Sequence, residues 1–171
     1  MASQYNSLVL LKYLRDLIQA DADFMANVGN PAPICMVGDL DQWAADETLA
    51  ADVPAVFVQP DSVDINFQTV DGKRYQDRYF FRVVYVDRIA EGTTHESNRL
   101  KAEYVASAIT KKIRGDGSPT LTLVQAQLVW IRPTRIEFRP AEDLFAAAKD
   151  TKLFAATVVV EARLLSWNTT S

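Results

Sequence analysis

Apolar and polar positions alternate along RYQDRYFFRVVYVDR, Arg74 to Arg88, a stretch without Pro or Gly and rich in aromatic and β-branched residues. Period-two alternation in such a composition predicts a β-strand. Its odd positions (Tyr75, Asp77, Tyr79, Phe81, Val83, Tyr85, Asp87) make an aromatic face suited to a core. Its even positions mix Arg74, Gln76, Arg78, Arg82 and Arg88 with Phe80, Val84 and Val86. A second strand is predicted over Leu153 to Trp167, LFAATVVVEARLLSW. Its even face is apolar (Phe154, Ala156, Val158, Val160, Ala162, Leu164), and its odd face sets Val159 and Leu165 beside Glu161 and Arg163.

Elsewhere the pattern changes period. Leu8, Leu11, Leu14 (or Arg15) and Ile18, widened by Leu10 and Leu17, follow helical spacing from about Gln4 to Met25. Ser3 or Ser7 is the expected cap, and Gly29-Asn30-Pro31 the stop. From 28 to 52 the periodicity fails among prolines and acids, which predicts a long irregular loop carrying Trp43 as a contact or core-edge residue. VPAVFVQ, Val53 to Gln59, reads as a short buried strand. A β-hairpin over 60–88 follows, with Val63, Ile65, Phe67 and Thr69 alternating before an Asp71-Gly72 turn. A second helix is expected after a Thr93/Glu96 capping box, with Leu100, Tyr104 and Ala108 (beside Val105 and Ile109) inward and Gly115 at its end. Thr120–Ile131 and Thr134–Arg139 read as two strands parted by Arg132-Pro133, and Pro140 to Lys149 as a short helical turn. The order predicts an α+β fold: one domain over 1–171, a mainly antiparallel sheet with two long helices packed on one face, and a protruding hairpin.

Composition narrows the function. A chain of 171 residues with a net charge of −4 lacks the basic excess of a dedicated nucleic-acid binder. The single cysteine, Cys35, allows no intramolecular disulfide and suits a reducing compartment. No apolar run reaches the length of a membrane helix, and the N-terminus lacks a signal-peptide layout, so a soluble protein of the cytosol, or one assembled there, is expected. There is no phosphate loop and no nucleophile elbow. One histidine, His95, and one cysteine cannot build a structural zinc site, and His95 reads as a surface residue. Asp61, Asp71 and Lys73 imitate the two-carboxylate-and-lysine pattern of metal-dependent nucleases, but Gly72 places the last two in a turn rather than on a strand. Asp39, Asp41, Asp46 and Glu47 lack the spacing of a calcium loop. A non-enzymatic protein without metal or cofactor is the expectation.

The uncovered sheet face then becomes the candidate site. Apolar groups among arginines and acids suit a protein interface, with Arg78, Phe80, Arg82, Val84, Val86 and Arg88 at its centre. Arg132, Arg135 and Arg139 are expected to add to it, and the hairpin tip Asp71, Gly72, Lys73 and Trp43 to supply further contacts.

VGDLDQWAADETLAADVPAVFVQPDSV, followed by YFFRVVYVDR, SNRLKAEYVASAITKKIRG and FAATVVVEARL, resembles the tail terminator and tail-completion proteins of long-tailed phages, especially the small tail proteins of Mu-like phages. The resemblance spans nearly the whole chain and lies in element order and short fragments. It implies a structural virion protein at the tail–neck junction, assembled in the host cytoplasm into a homo-oligomeric ring, commonly of six copies. Such a ring caps the tail tube, meets tube, sheath and neck proteins, and lets DNA pass without specific binding. A neck or head-closure connector is the alternative. Within such a ring the arginines are expected to face the acidic loop at Asp39 to Asp52 of the next copy.

Overall fold

A computed structural model describes residues 2–21, 34–37, 53–69, 73–89, 92, 94–116, 119–140 and 153–167. In chain order these form α1 (Ala2–Gln19), β1 (Ile34–Val37), β2 (Ala55–Thr69), β3 (Arg74–Arg88), α2 (His95–Gly115), β4 (Ala126–Pro140) and β5 (Leu153–Trp167). The five strands make one sheet in the order β1-β2-β3-β5-β4, antiparallel except for β1 against β2. The architecture is α+β, as the sequence pattern predicts.

The centre of the sheet is regular. β3 and β5 pair without a break from Arg74↔Trp167 to Arg88↔Leu153. The outer strands are irregular, with register shifts at Pro60/Ser62 and Asp64/Gln68 in β2 and at Leu128/Trp130 and Pro133/Arg135 in β4. These shifts correct two sequence expectations. VPAVFVQ and the first hairpin strand are one 15-residue strand, and the two strands expected around Arg132-Pro133 are also one. A proline lacks the ladder N–H, so it ends a central strand, but an outer strand absorbs it at a bulge. Residues 120–125, expected in strand, precede β4. Ile34–Val37, expected within an irregular loop, form a parallel strand on β2. The Asp71-Gly72 turn lies outside the described residues; its hairpin is present through Thr69↔Tyr75 and Gln68↔Gln76. The rest of the 28–52 loop and the 140–149 turn also lie mostly outside them.

Both helices pack against one side of the sheet. Leu10, Leu11, Leu14 and Ile18 of α1 and Ala102, Val105, Ala106, Ile109 and Ile113 of α2 join one core with Tyr79, Phe81, Val83 and Tyr85 of β3 and the even face of β5. Each fully buried Leu or Ile contributes roughly 1.5–3 kcal/mol of transfer free energy. The helix starts differ from expectation. α1 begins at Ala2, so Ser3 and Ser7 lie inside it rather than capping it. Thr94, not Thr93, caps α2, its hydroxyl accepting from the Ser97 N–H at 3.2 Å. The inward stripe of α2 is also rotated from expectation. Leu100 and Tyr104 are exposed, and Ala102 and Ala106 take the buried positions, where small side chains let the helix approach the sheet.

Polar side chains fix the helices in place. Asn6 of α1 donates through Nδ2 to the Val124 carbonyl at 3.0 Å and accepts from the Val124 N–H at 2.8 Å. Tyr85 Oη donates to Asp87 Oδ2 at 2.7 Å, and Lys101 of α2 pairs with the same carboxylate. Burial, then the Asp87 charge and bond, push the Tyr85 phenol up, so it stays a neutral donor.

A candidate protein-binding face on the sheet

The face turned away from the helices is built row by row from the strand register. Two rows are apolar where β2 begins: Ala55–Val86–Ala155 and Phe57–Val84–Thr157. Next come Gln59–Arg82–Val159–Arg135, then Ser62–Phe80–Glu161–Arg132, then Asp64–Arg78–Arg163–Trp130. The face therefore grades from apolar to charged along the strands.

The apolar end corrects one part of the interface expectation. Val84 and Val86 are 1% and 0% exposed in the single chain, and Ala55, Phe57, Ala155 and Thr157 beside them are buried too. These rows are sealed within the single chain and present no open surface to a neighbour. Phe80 is half-buried, and Arg82 and Arg88 are exposed. Of the other expected contacts, Arg132 and Arg135 share this face, and the Arg139 backbone continues it opposite Ala155. Lys73 is exposed at the foot of β3. Trp43, Asp71 and Gly72 lie outside the described residues.

The charged end is compensated internally. Glu161 Oε1 accepts from Arg78 Nε at 2.9 Å and from Arg163 Nε at 3.0 Å. Burial would raise this carboxyl, but bonds and charge from both guanidiniums outweigh it and hold it below the ordinary carboxylate value. Arg82 meets Asp61 at 2.8 Å, Arg135 meets Glu137 at 2.6 Å, and Arg78 approaches Asp64 at 3.8 Å. Guanidiniums also stack on rings: Arg132 lies 4.0 Å and Arg163 4.9 Å from the Trp130 centroid, and Arg78 4.9 Å from that of Phe80. A shallow depression of about 430 Å³ sits among them, lined by Asp61, Ser62, Phe80, Thr134, Arg135 and Val159.

This arrangement suits binding. Its carboxylates answer arginines, and Asp61, the first acid of the nuclease-like pattern, is engaged with Arg82. Among the described residues no cluster of three or more His, Cys, Asp or Glu side chains could hold a metal ion. Planar guanidiniums over aromatic rings, around a half-open apolar floor, are the composition of protein interfaces. Sequence reading placed Glu161 and Arg163 on this face but missed Trp130 as a member. Trp130 and Arg132 have even numbers and Arg135 and Glu137 odd ones. Only the bulge at Pro133/Arg135 brings both pairs to one side.

No protein-family model matches the sequence, and no curated protein matches it significantly. Solved structures resemble it. A chain from the virion of a native gene transfer agent particle superposes with a TM-score of 0.56 at 16% identity, over 94% of this chain and 98% of that one. A second solved structure covers 90% of this chain and 96% of its own at 17% identity, with a TM-score of 0.42. The first likeness establishes a shared fold over nearly the full length of both chains.

Proposed function

We propose that this chain is a structural component of a tailed, phage-like particle: a tail-completion protein whose copies form a ring that caps the tail tube and joins it to the neck. The observation that carries this reading is the end-to-end superposition on a gene transfer agent virion protein, with neither chain leaving a large part unmatched. The exposed, arginine-rich end of the second sheet face supports it, since repeated subunit contacts need such a surface. The role is non-enzymatic, the location the tail–neck junction, and the partners other copies of the chain, the tube protein and the neighbouring sheath and neck proteins. DNA passes through the ring without specific binding.

The test is assembly without the protein. Particles made in a deletion background are expected to accumulate as separate filled heads and unattached tails, and adding purified protein to the lysate should restore joined particles. Normal particles in the deletion background, or mass spectra of purified wild-type particles without its peptides, would overturn the reading.

A further inference from the structure

The two edges of the sheet differ. β1 already lies on the outer side of β2 at 55–58. β4 is hydrogen-bonded to β5 on one side, and no described strand lies on its other side. An uncovered edge offers a row of backbone donors and acceptors to an extended chain. We propose that β4 is a docking edge for an extended segment of another protein, apolar at every second residue and acidic at two of the positions between. Such a segment adds a strand to the sheet along 132–138.

The chemistry of the segment is read from the two sides of β4. Arg132 and Arg135 pair with Glu161 and Val159, on the face away from the helices, and both are exposed. Arg132 stacks on Trp130 at 4.0 Å, and no carboxylate among the described residues pairs with it. Arg135 holds Glu137 at 2.6 Å, yet its own side chain stays 64% exposed while that of Glu137 is only 17% exposed. The charge that this rim turns outward is therefore positive. Ile136 and Phe138 pair with the core residues Val158 and Ala156, on the helix side. α2 packs over β4 and β5 there. Ile131 on that side is 1% exposed, but Ile136 and Phe138 keep 37% and 41% of their surface open. Side chains of an added strand alternate between the same two sides. Those beside Arg132 and Arg135 gain from being acidic, and those beside Ile136 and Phe138 gain from being apolar.

The edge also restricts what can dock. Pro133 has no N–H to give, and an edge-strand proline turns that gap outward, so the added ladder lacks one bond there. The shift between Pro133 and Arg135 makes Thr134 an extra residue, and the segment has to bend with β4 at that point. The β4 edge of a second copy is a poor occupant. Antiparallel pairing of two such edges across a two-fold sets Arg132 and Arg135 of both copies together on one side, and like charges on adjacent strands oppose pairing. The inference goes beyond the ring reading and does not depend on it, because it concerns one edge of one chain.

Short capped peptides added to the whole chain test this. Three labelled probes share valine at alternate positions. One carries aspartate at two neighbouring positions between the valines, one carries lysine there, and the third is the aspartate probe N-methylated at every residue, which removes its backbone donors. Anisotropy titrations are expected to show saturable binding of the aspartate probe below about 1 mM, roughly tenfold weaker binding of the lysine probe and none of the N-methylated one. Hydrogen exchange at the β4 amides should slow with the aspartate probe and stay unchanged at the β1 amides. In Arg132→Asp/Arg135→Asp the order of the two charged probes should reverse, with circular dichroism verifying that the variant is folded. Equal binding of the two charged probes by the unaltered chain overturns the proposal. So does binding that survives N-methylation, binding that protects amides outside β4, or the absence of saturable binding. Self-association that protects the β4 amides without any probe also overturns it, since a second copy is then the occupant.

Discussion

At the scale of single residues the second sheet face depends on Glu161. It is 3% exposed, and one of its oxygens serves both Arg78 and Arg163. Glu161→Gln keeps the shape and removes the charge, which leaves two guanidiniums turned on a neutral amide. Breaking a largely buried pair in this way costs about 2–4 kcal/mol. The pH dependence has a definite sign. The folded carboxyl titrates below its ordinary 4.5, so its contribution is present above that value and is lost as the pH falls through the lower folded value. Urea unfolding is therefore expected to show the variant clearly weaker at pH 7, with the gap narrowing at about pH 3. An equal gap at both pH values would mean that shape rather than charge holds this corner.

At the scale of elements the same logic applies to Asn6, whose amide makes the two bonds that a neighbouring strand would make to Val124. Asn6→Ala should cost about 2 kcal/mol and speed hydrogen exchange at the Val124 amide, because both backbone groups lose a part-buried partner. Protection at Val124 unchanged in the variant would show that α1 does not hold this segment. Elements of this kind divide sharply in how well the sequence announces them. β3 and β5 were legible to the residue, since an unbroken ladder preserves alternation from end to end. β2 and β4 look broken at Pro60 and Pro133 in the sequence, because a bulge on an outer strand leaves the same local pattern as a strand end. The rotated face of α2 has another cause. Bulk favours Leu100 and Tyr104 as the inward residues, but close packing on the sheet selects Ala102 and Ala106. The candidate site follows the same division. Its β3 arginines were visible by parity, and Trp130 joins them only through pairings many residues apart. Burial of Val84 and Val86 likewise is a property of the folded chain that the alternation of a single strand does not reveal.

At the scale of the whole molecule an acidic chain, net −4, gathers arginines on one sheet face. Such a face suits two kinds of partner: phosphates to grip, or protein to meet. The local chemistry separates them. Arg78, Arg82, Arg135 and Arg163 each have a carboxylate within ion-pairing distance, so a phosphate would have to displace Glu161, Asp61 or Glu137 and would meet their repulsion. A partner strand bearing its own acids and backbone carbonyls can add to these arginines without displacing anything, since each guanidinium has five N–H donors. Fluorescence anisotropy with a labelled duplex at 150 mM salt should accordingly show no saturable binding at micromolar protein, the range in which non-specific binders are still seen. Binding in that range, weakening with salt at a slope near −0.9 per phosphate contacted and lost in Arg82→Ala/Arg135→Ala, would turn the face toward DNA and away from a neighbouring subunit.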